Sequence, residues 1–288
     1  KSALITGGAG FLGSHLTEKL ISENWQVIVV DNLSSGRKEN IADFEKNNNL
    51  QFIHHDVVSP LADVGKVDVI FHLASPASPN KKSEISYINH PLETVDVNVT
   101  GTRNMLELAK KFNARFVLAS TSEVYGQPLE HPQKEEYFGN VNTVGQRSSY
   151  DESKRMAETL TSIYQRKLGL DARIMRIFNT YGPKMNPNDG RMIVNFITQA
   201  LKGEEITIYG EGKQTRSMCY VSDLIDGIYK LAITDDLSGE VVNLGNPKER
   251  TVLEIAQIVI DATNSRSQTT FEPLPTDDPL RRCPDISK

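Results

Sequence analysis

Tyr150 and Lys154 stand four residues apart in Tyr150-Asp151-Glu152-Ser153-Lys154, at the start of a helical pattern. That spacing places a phenol and an ammonium on one helix face. A cation beside a phenol favours the phenolate and lowers its pKa, and a phenolate is a usable base near neutral pH. A second cluster, Ser120-Thr121-Ser122-Glu123-Val124-Tyr125-Gly126, follows the apolar run Arg115–Ala119. Its hydroxyls and carboxylate fall where a buried strand ends, and Thr121 could share a substrate hydroxyl's proton with Tyr150. A lone Tyr-x-x-x-Lys is more often a surface tyrosine beside a solvated lysine; the N-terminal segment shifts the balance here.

Ser2-Ala3-Leu4-Ile5 reads as a buried strand and Ser14–Ser22 as a helix, with Gly7, Gly10 and Gly13 in the loop between them. Glycines there permit a tight turn and let a pyrophosphate approach a helix N-terminus. The next strand, Gln26–Val30, ends in Asp31, eighteen residues after Gly13. An acidic group at about that spacing accepts the adenosine ribose hydroxyls. It repels a 2′-phosphate, so NAD is expected over NADP, although Arg37 is near. A third strand, Leu50–His55, closes on Asp56-Val57, placing Asp56 to meet the adenine. His54 and His55 point to opposite strand faces and suit no shared ion, so no metal is expected. A fourth strand, Val67–Leu73, leads into the stiff loop Ala74-Ser75-Pro76-Ala77-Ser78-Pro79 at the ligand-binding edge of such sheets. His72 reads as a hydrogen-bonded strand residue.

The alternation of strand and helix predicts an α/β protein with a doubly wound, Rossmann-type parallel sheet. A dinucleotide-binding domain is expected over residues 1–178. A smaller substrate domain is expected over 179–288, with a stretch near 215–245 returning to the first. Strand six is expected over Ala172–Phe178, a helix over Arg191–Leu201 and a strand over Glu205–Tyr209. Two long helices, His90–Asn113 and the one after Tyr150, each carry two apolar stripes. One stripe can pack on the sheet, and the second predicts a homodimer through a helix bundle.

The 288 residues are 38% hydrophobic and 24% charged, enough to bury a sizeable core. No run approaches the ~18–20 apolar residues of a membrane span. The net charge of −5 argues against a nucleic-acid partner. Lys184, Arg191, Lys213, Arg216, Arg281 and Arg282 in the second half suit one anionic small molecule instead. Two cysteines and no signal-peptide pattern predict a cytoplasmic protein, and both ends read as trimmed, the C-terminal domain included.

Motif after motif, the chain resembles the extended short-chain dehydrogenase/reductases that act on nucleotide-sugars. Within them it is most similar to the UDP-glucuronate decarboxylases. The resemblance rests on Leu73–Pro79, Ala119–Gly126, Tyr150-Asp151-Glu152, Arg176–Pro183 and Asp277-Asp278-Pro279 followed by Arg281-Arg282. It implies that NAD lies against Gly7, Gly10, Phe11, Leu12, Asp31, Asn32, Asp56, Val57, Leu73, Ala74, Ser75, Ala119, Tyr150, Lys154 and Thr180. It implies a UDP-sugar against Pro76, Ser78, Asn179, Arg191, Tyr209, Gln214, Arg216 and Arg282. Asn179, Arg216 and Arg282 would hold the diphosphate, and Tyr209 would border the uracil.

The implied catalytic set is Thr121, Ser122, Glu123, Tyr150 and Lys154. Tyr150 would take the proton of the sugar's 4-hydroxyl while the hydride passes to NAD⁺. Carbon dioxide would leave from the β-keto acid, and the hydride would return to give UDP-xylose. Glu123 would orient the sugar or assist at C5. A nucleotide-sugar dehydratase usually carries an acid where this chain has Ser122, although burial could keep Glu123 protonated for that role. A 4-epimerase usually lacks a carboxylate at position 123, and a non-catalytic NAD-sensing relative tends to lose the tyrosine or lysine. The chain departs from the decarboxylase pattern near the sugar end, at Asn142-Thr143, Gly145-Gln146-Arg147 and Gln127. Its loop from Asn80 to Asn89 is also longer than usual.

Overall fold

Apolar segments alternate with amphipathic ones, so each strand can be buried on both faces beneath helices. In the computed structural model, which describes residues 1–61, 64–274 and 279–288, these segments become β1 (Ser2–Thr6), α1 (Phe11–Ser22), β2 (Gln26–Asp31), β3 (Leu50–His54), β4 (Val69–His72), α2 (Pro91–Asp96), α3 (Thr102–Phe112), β5 (Arg115–Thr121), α4 (Ser148–Leu168) and β6 (Ala172–Ile177). The later part contributes β7 (Thr180–Tyr181), α5 (Met192–Lys202), β8 (Ile206–Tyr209), β9 (Thr215–Ser217), β10 (Cys219–Tyr220), α6 (Val221–Ile233), β11 (Val241–Leu244), β12 (Glu249–Thr251), α7 (Val252–Thr263), β13 (Thr269–Glu272) and β14 (Arg281–Arg282).

Seven strands form one parallel sheet in the order β11-β6-β5-β4-β1-β2-β3. The order reverses at β1, the switch point where a doubly wound sheet opens a crevice at its carboxyl edge. One core packs α1 and α6 on one face through Leu16, Leu20, Leu224 and Ile228. The other packs α3 and α4 through Met105, Leu106, Ala157 and Tyr164. A third cluster joins α5, α7 and β8.

Several boundaries differ from the sequence expectation. α1 begins at Phe11 rather than Ser14, because the turn after Gly10 winds directly into the helix. β5 runs two residues past Ala119, carrying Thr121 to the sheet edge. The long helix from His90 is interrupted by a wider turn at Val97–Gly101, where a Cβ on Gly101 would come within 2.8 Å of Val57. Both cysteines are buried and free. Among the described residues no helix is long and apolar enough to cross a membrane. Asp277 and Asp278, part of the motif singled out in the sequence, lie outside the described residues.

Candidate active site

A cavity of about 1110 Å³ opens along the carboxyl edge of the sheet. The cofactor, substrate and catalytic residues that the resemblance implies, from Gly7 to Arg282, line it. Of the six basic residues noted in the second half, Lys184, Arg191, Arg216 and Arg282 reach its wall, whereas Lys213 and Arg281 do not. Lys213 is exposed and paired with Glu211.

One end is built for a dinucleotide. Gly7 takes φ +69°, and a Cβ there would stand 2.9 Å from the Ala74 backbone. A Cβ on Gly13 would stand 2.1 Å from the Gly7 carbonyl oxygen. Side chains at these positions would fill the cradle, and the N-terminus of α1 faces it with backbone N–H donors. Asp31 is buried at the end of β2 and accepts from Ala9 N at 2.9 Å and Leu33 N at 2.8 Å. Burial raises its carboxyl above the ordinary value, and those two N–H groups oppose the rise. Asn32 donates to Asp56 at 3.0 Å, linking the ends of β2 and β3. His54 and His55 bond separate backbone carbonyls, of Asn32 and Ser59. His72 bonds Thr6 at 2.7 Å, and burial lowers its pKa to about 3, so it is neutral. His131, Glu249 and Cys283 bring ligand atoms within 4.8 Å of one another. None of the three lines the cavity, and His131 Nε2 already hydrogen-bonds Glu249 at 3.1 Å.

At the other end the reacting groups converge. Thr121 caps the turn Ser122–Tyr125, accepting from Glu123 N at 3.2 Å, and its hydroxyl also bonds the Tyr150 phenol. Tyr87, from the long loop before α2, stacks on Tyr150 with ring centres 4.7 Å apart. That loop is held down by Ser78, whose hydroxyl donates to the Asp189 carbonyl, and by Asn80, whose amide donates to the Gly190 carbonyl at 3.0 Å. Asp189 grips Arg191 through both carboxylate oxygens, at 2.6 and 2.7 Å.

Three sequence expectations change here. The Lys154 ammonium was expected to lower the Tyr150 phenol. Burial instead raises the phenol well above its ordinary value, outweighing the Thr121 hydrogen bond and the Arg191 charge. Lys154 stands 5.8 Å from the ring centre and donates to the Ala119 carbonyl at 2.9 Å. Burial lowers its own pKa to about 7, against the pull of Glu158.

Second, Glu123 is not a carboxyl kept protonated by an apolar site. Burial alone would raise it, but the guanidiniums of Arg282, Arg147 and Arg216 hold it down at about 2. Arg147 bonds it at 2.6 Å and Arg282 at 3.1 Å.

Third, the Arg282 guanidinium, expected on a diphosphate, lies on Glu123 and on the Ser122 carbonyl. β14 pairs with β9 so that Arg282 stands beside Arg216. The Arg282 Nε is buried with no hydrogen-bond partner.

Arg147, Tyr87, Asp189 and Asp151 were not assigned from sequence. Arg147 and Asp151 stand four apart, a spacing that could have flagged a pair at the head of α4. Asp151 is buried, and burial followed by the negative charge of Glu123 pushes its carboxyl up to about 8, with Arg147 and Arg282 opposing. An acid with a raised pKa contributes full stability below its unfolded value, 3.8, and loses it as pH rises through about 8. Asp151→Asn should therefore melt at or above wild type at pH 8–9 and approach it near pH 4. Each kcal/mol is worth about 2–4 °C in a chain this size. A variant that melts lower at pH 9 would show that Asp151 is charged without cost.

The model of the NAD dependent epimerase/dehydratase family matches residues 3–245. The chain is 52% identical over 285 residues to UDP-glucuronic acid decarboxylase 1 of Arabidopsis thaliana, covering 99% of the chain and 63% of that protein. It thus spans just under two thirds of that relative's length. Its fold is similar to the UDP-N-acetylglucosamine 4-epimerase of Methanobrevibacter ruminantium M1 in complex with UDP-N-acetylmuramic acid, with a TM-score of 0.90, 30% identity and coverage of 100% and 90% of the two chains. It is also similar to the dTDP-glucose 4,6-dehydratase of Streptomyces venezuelae with NAD bound, with a TM-score of 0.89, 30% identity and coverage of 99% and 88%.

Proposed function

We propose that this chain, which belongs to the NAD dependent epimerase/dehydratase family, converts UDP-glucuronate to UDP-xylose and carbon dioxide. The observation that carries this choice over dehydration is the state of Glu123. A leaving 6-hydroxyl needs an acid, whereas carbon dioxide leaves a β-keto acid without one. Glu123 is pinned as an anion, and Ser122 does not ionise near neutral pH. The unclaimed Arg282 Nε suits a substrate that brings a carboxylate or phosphate oxygen to this corner. The decarboxylase relative supports the same reading.

The glycine cradle, with Asp31 for the ribose and Asp56 and Val57 toward the adenine, would hold NAD, which would supply a reversible acceptor for the C4 hydride. Tyr150, with Thr121 as its hydrogen-bond partner, accepts the proton of the 4-hydroxyl. The resulting ketone is β to the carboxylate, so the electrons of the departing carbon dioxide are held in an enolate. Tyr150 later returns its proton to the 4-oxygen. Residues 179–288 supply the nucleotide end, with Asn179 and Arg216 for the diphosphate and Tyr209 and Gln214 toward the base. Arg191, anchored on Asp189, steadies the substrate next to Tyr150. Val95, Met156, Ile163 and Leu168 remain exposed on the two long helix segments, which supports a homodimer through that face. The buried free cysteines fit a cytoplasmic protein.

The test is direct. The protein is incubated with NAD⁺ and, separately, UDP-glucuronate, UDP-glucose and UDP-N-acetylglucosamine, and the products are weighed by mass spectrometry. UDP-glucuronate is expected to give carbon dioxide and a UDP-pentose with no net NADH. A product of UDP-N-acetylglucosamine lighter by one water, with UDP-glucuronate untouched, overturns the assignment.

A further inference from the structure

Decarboxylation replaces a C–C bond with a C–H bond, so R–COO⁻ + H⁺ gives R–H + CO₂. Each turnover consumes one proton, and it ends on C5. Tyr150 does not provide it, because the proton it takes from the 4-hydroxyl goes back to the 4-oxygen. A separate proton has to reach the enolate from solvent.

A second cavity, of about 180 Å³, lies on the far side of Glu123. Glu123, Arg147 and Arg282 line both cavities and form the partition between them, whereas Asp151 lines only the small one. The volume holds several waters, and a polar wall gives them partners. Gln127, Asn140 and Asn142 supply that wall on the loop side. Asp151 is 6% exposed, and its Oδ1 has no hydrogen-bond partner. An unpartnered buried carboxyl oxygen is costly unless something, here water, meets it. The charged and titratable groups acting on it come from every side: Glu123 after β5, Arg147 ahead of α4, Glu152 on α4 and Arg282 from β14. The Tyr150 and Tyr87 phenols also interact with it. With Glu123 fixed as an anion by two guanidiniums, the neighbouring carboxyl keeps the proton, as carboxylates sharing a site do.

Resting on the decarboxylase reading, we propose that Asp151 is the proton store for C5, passing its proton through water in the small cavity and across the Glu123 partition to the enolate. The enolate's electron pair forms the C5–H bond and the C4 carbonyl is restored. Asp151, left as a carboxylate, takes a proton from solvent. Glu123 stays an anion throughout, held by Arg282 and Arg147, and accepts hydrogen bonds from the last water so that its other proton faces C5. Asp151 thus acts through water as a positioning residue.

The test reads how the reaction partitions after carbon dioxide has left. Wild type, Asp151→Asn and the smaller neutral variant Asp151→Ser are given UDP-glucuronate with NAD⁺, and carbon dioxide and UDP-products are followed separately. Both neutral variants are expected to release the first equivalent of carbon dioxide per site within about threefold of the wild-type rate. They should form UDP-xylose about 100-fold slower, the lower range for loss of a general acid, and release the enolate instead, which takes its C5 proton from bulk water to appear as UDP-4-keto-pentose while one NADH per site stays reduced. Asp151→Glu, which restores a carboxyl, should recover a tenth or more of the UDP-xylose rate. If a neutral variant keeps the wild-type product ratio, or loses carbon dioxide release and UDP-xylose formation together, Asp151 is structural and the proposal is overturned. If wild type itself releases no carbon dioxide, the decarboxylase reading fails before Asp151 is altered, so the two failures are distinct.

Discussion

Tyr150→Phe is expected to lower turnover by about 10³-fold or more, with the fold and UDP binding nearly intact. The phenol is the group placed to accept the 4-hydroxyl proton, and losing a general base typically costs about 10²–10⁴-fold. The ring itself is retained, so its stack on Tyr87 survives. What disappears is the hydrogen bond with Thr121, worth about 1–2 kcal/mol when both partners are buried. Burial holds the phenol protonated in the structure, so it becomes a base only when positive charge enters beside it. Oxidised NAD would bring that charge, and Lys154, 5.8 Å from the ring centre, adds to it when protonated. The measurement is single-turnover carbon dioxide release alongside a melting curve and a UDP titration. Turnover within tenfold of wild type would remove Tyr150 from the proton path.

Arg282→Met should cost stability and rate together. The Arg282 side chain is buried, and its guanidinium meets Glu123 at 3.1 Å. Removing one partner of a buried pair typically costs about 3–5 kcal/mol. Arg147 remains on Glu123 at 2.6 Å, so about 3 kcal/mol is expected, read as a lower urea midpoint at unchanged m-value. A depressed carboxylate contributes stability above its unfolded pKa, 4.5, and loses it as pH falls through its folded value, about 2. Without Arg282 the folded value rises, so acid unfolding should begin at a higher pH. Turnover is expected to fall about 100-fold through kcat, because the corner facing C5 loses its fixed charge. A raised KM with unchanged kcat and unchanged stability would return Arg282 to the diphosphate role that the resemblance implies.

Much of the fold was legible because its signals are local. The glycine loop between β1 and α1 and Asp31 at the end of β2 each lie within one βαβ unit, so spacing alone places them. Tyr150 and Lys154 share one face of α4 for the same reason, since four residues make about one helical turn. The later strands were harder. β14 pairs with β9, a contact between segments far apart in sequence that no periodicity announces.

Residue order and spacing thus specify which groups are present and the nucleotide-binding frame that carries them. Their protonation states follow from how the chain folds back on itself. Glu123 meets Arg147 from 24 residues away and Arg282 from 159. Those two guanidiniums, together with that of Arg216, turn a carboxyl that burial would protonate into a fixed anion. The same burial, acting on Tyr150, Lys154 and Asp151, raises the phenol, depresses the ammonium and leaves a proton on Asp151. The reason is physical: a pKa follows from desolvation and from charges close in space, and neither quantity is a function of spacing along the chain.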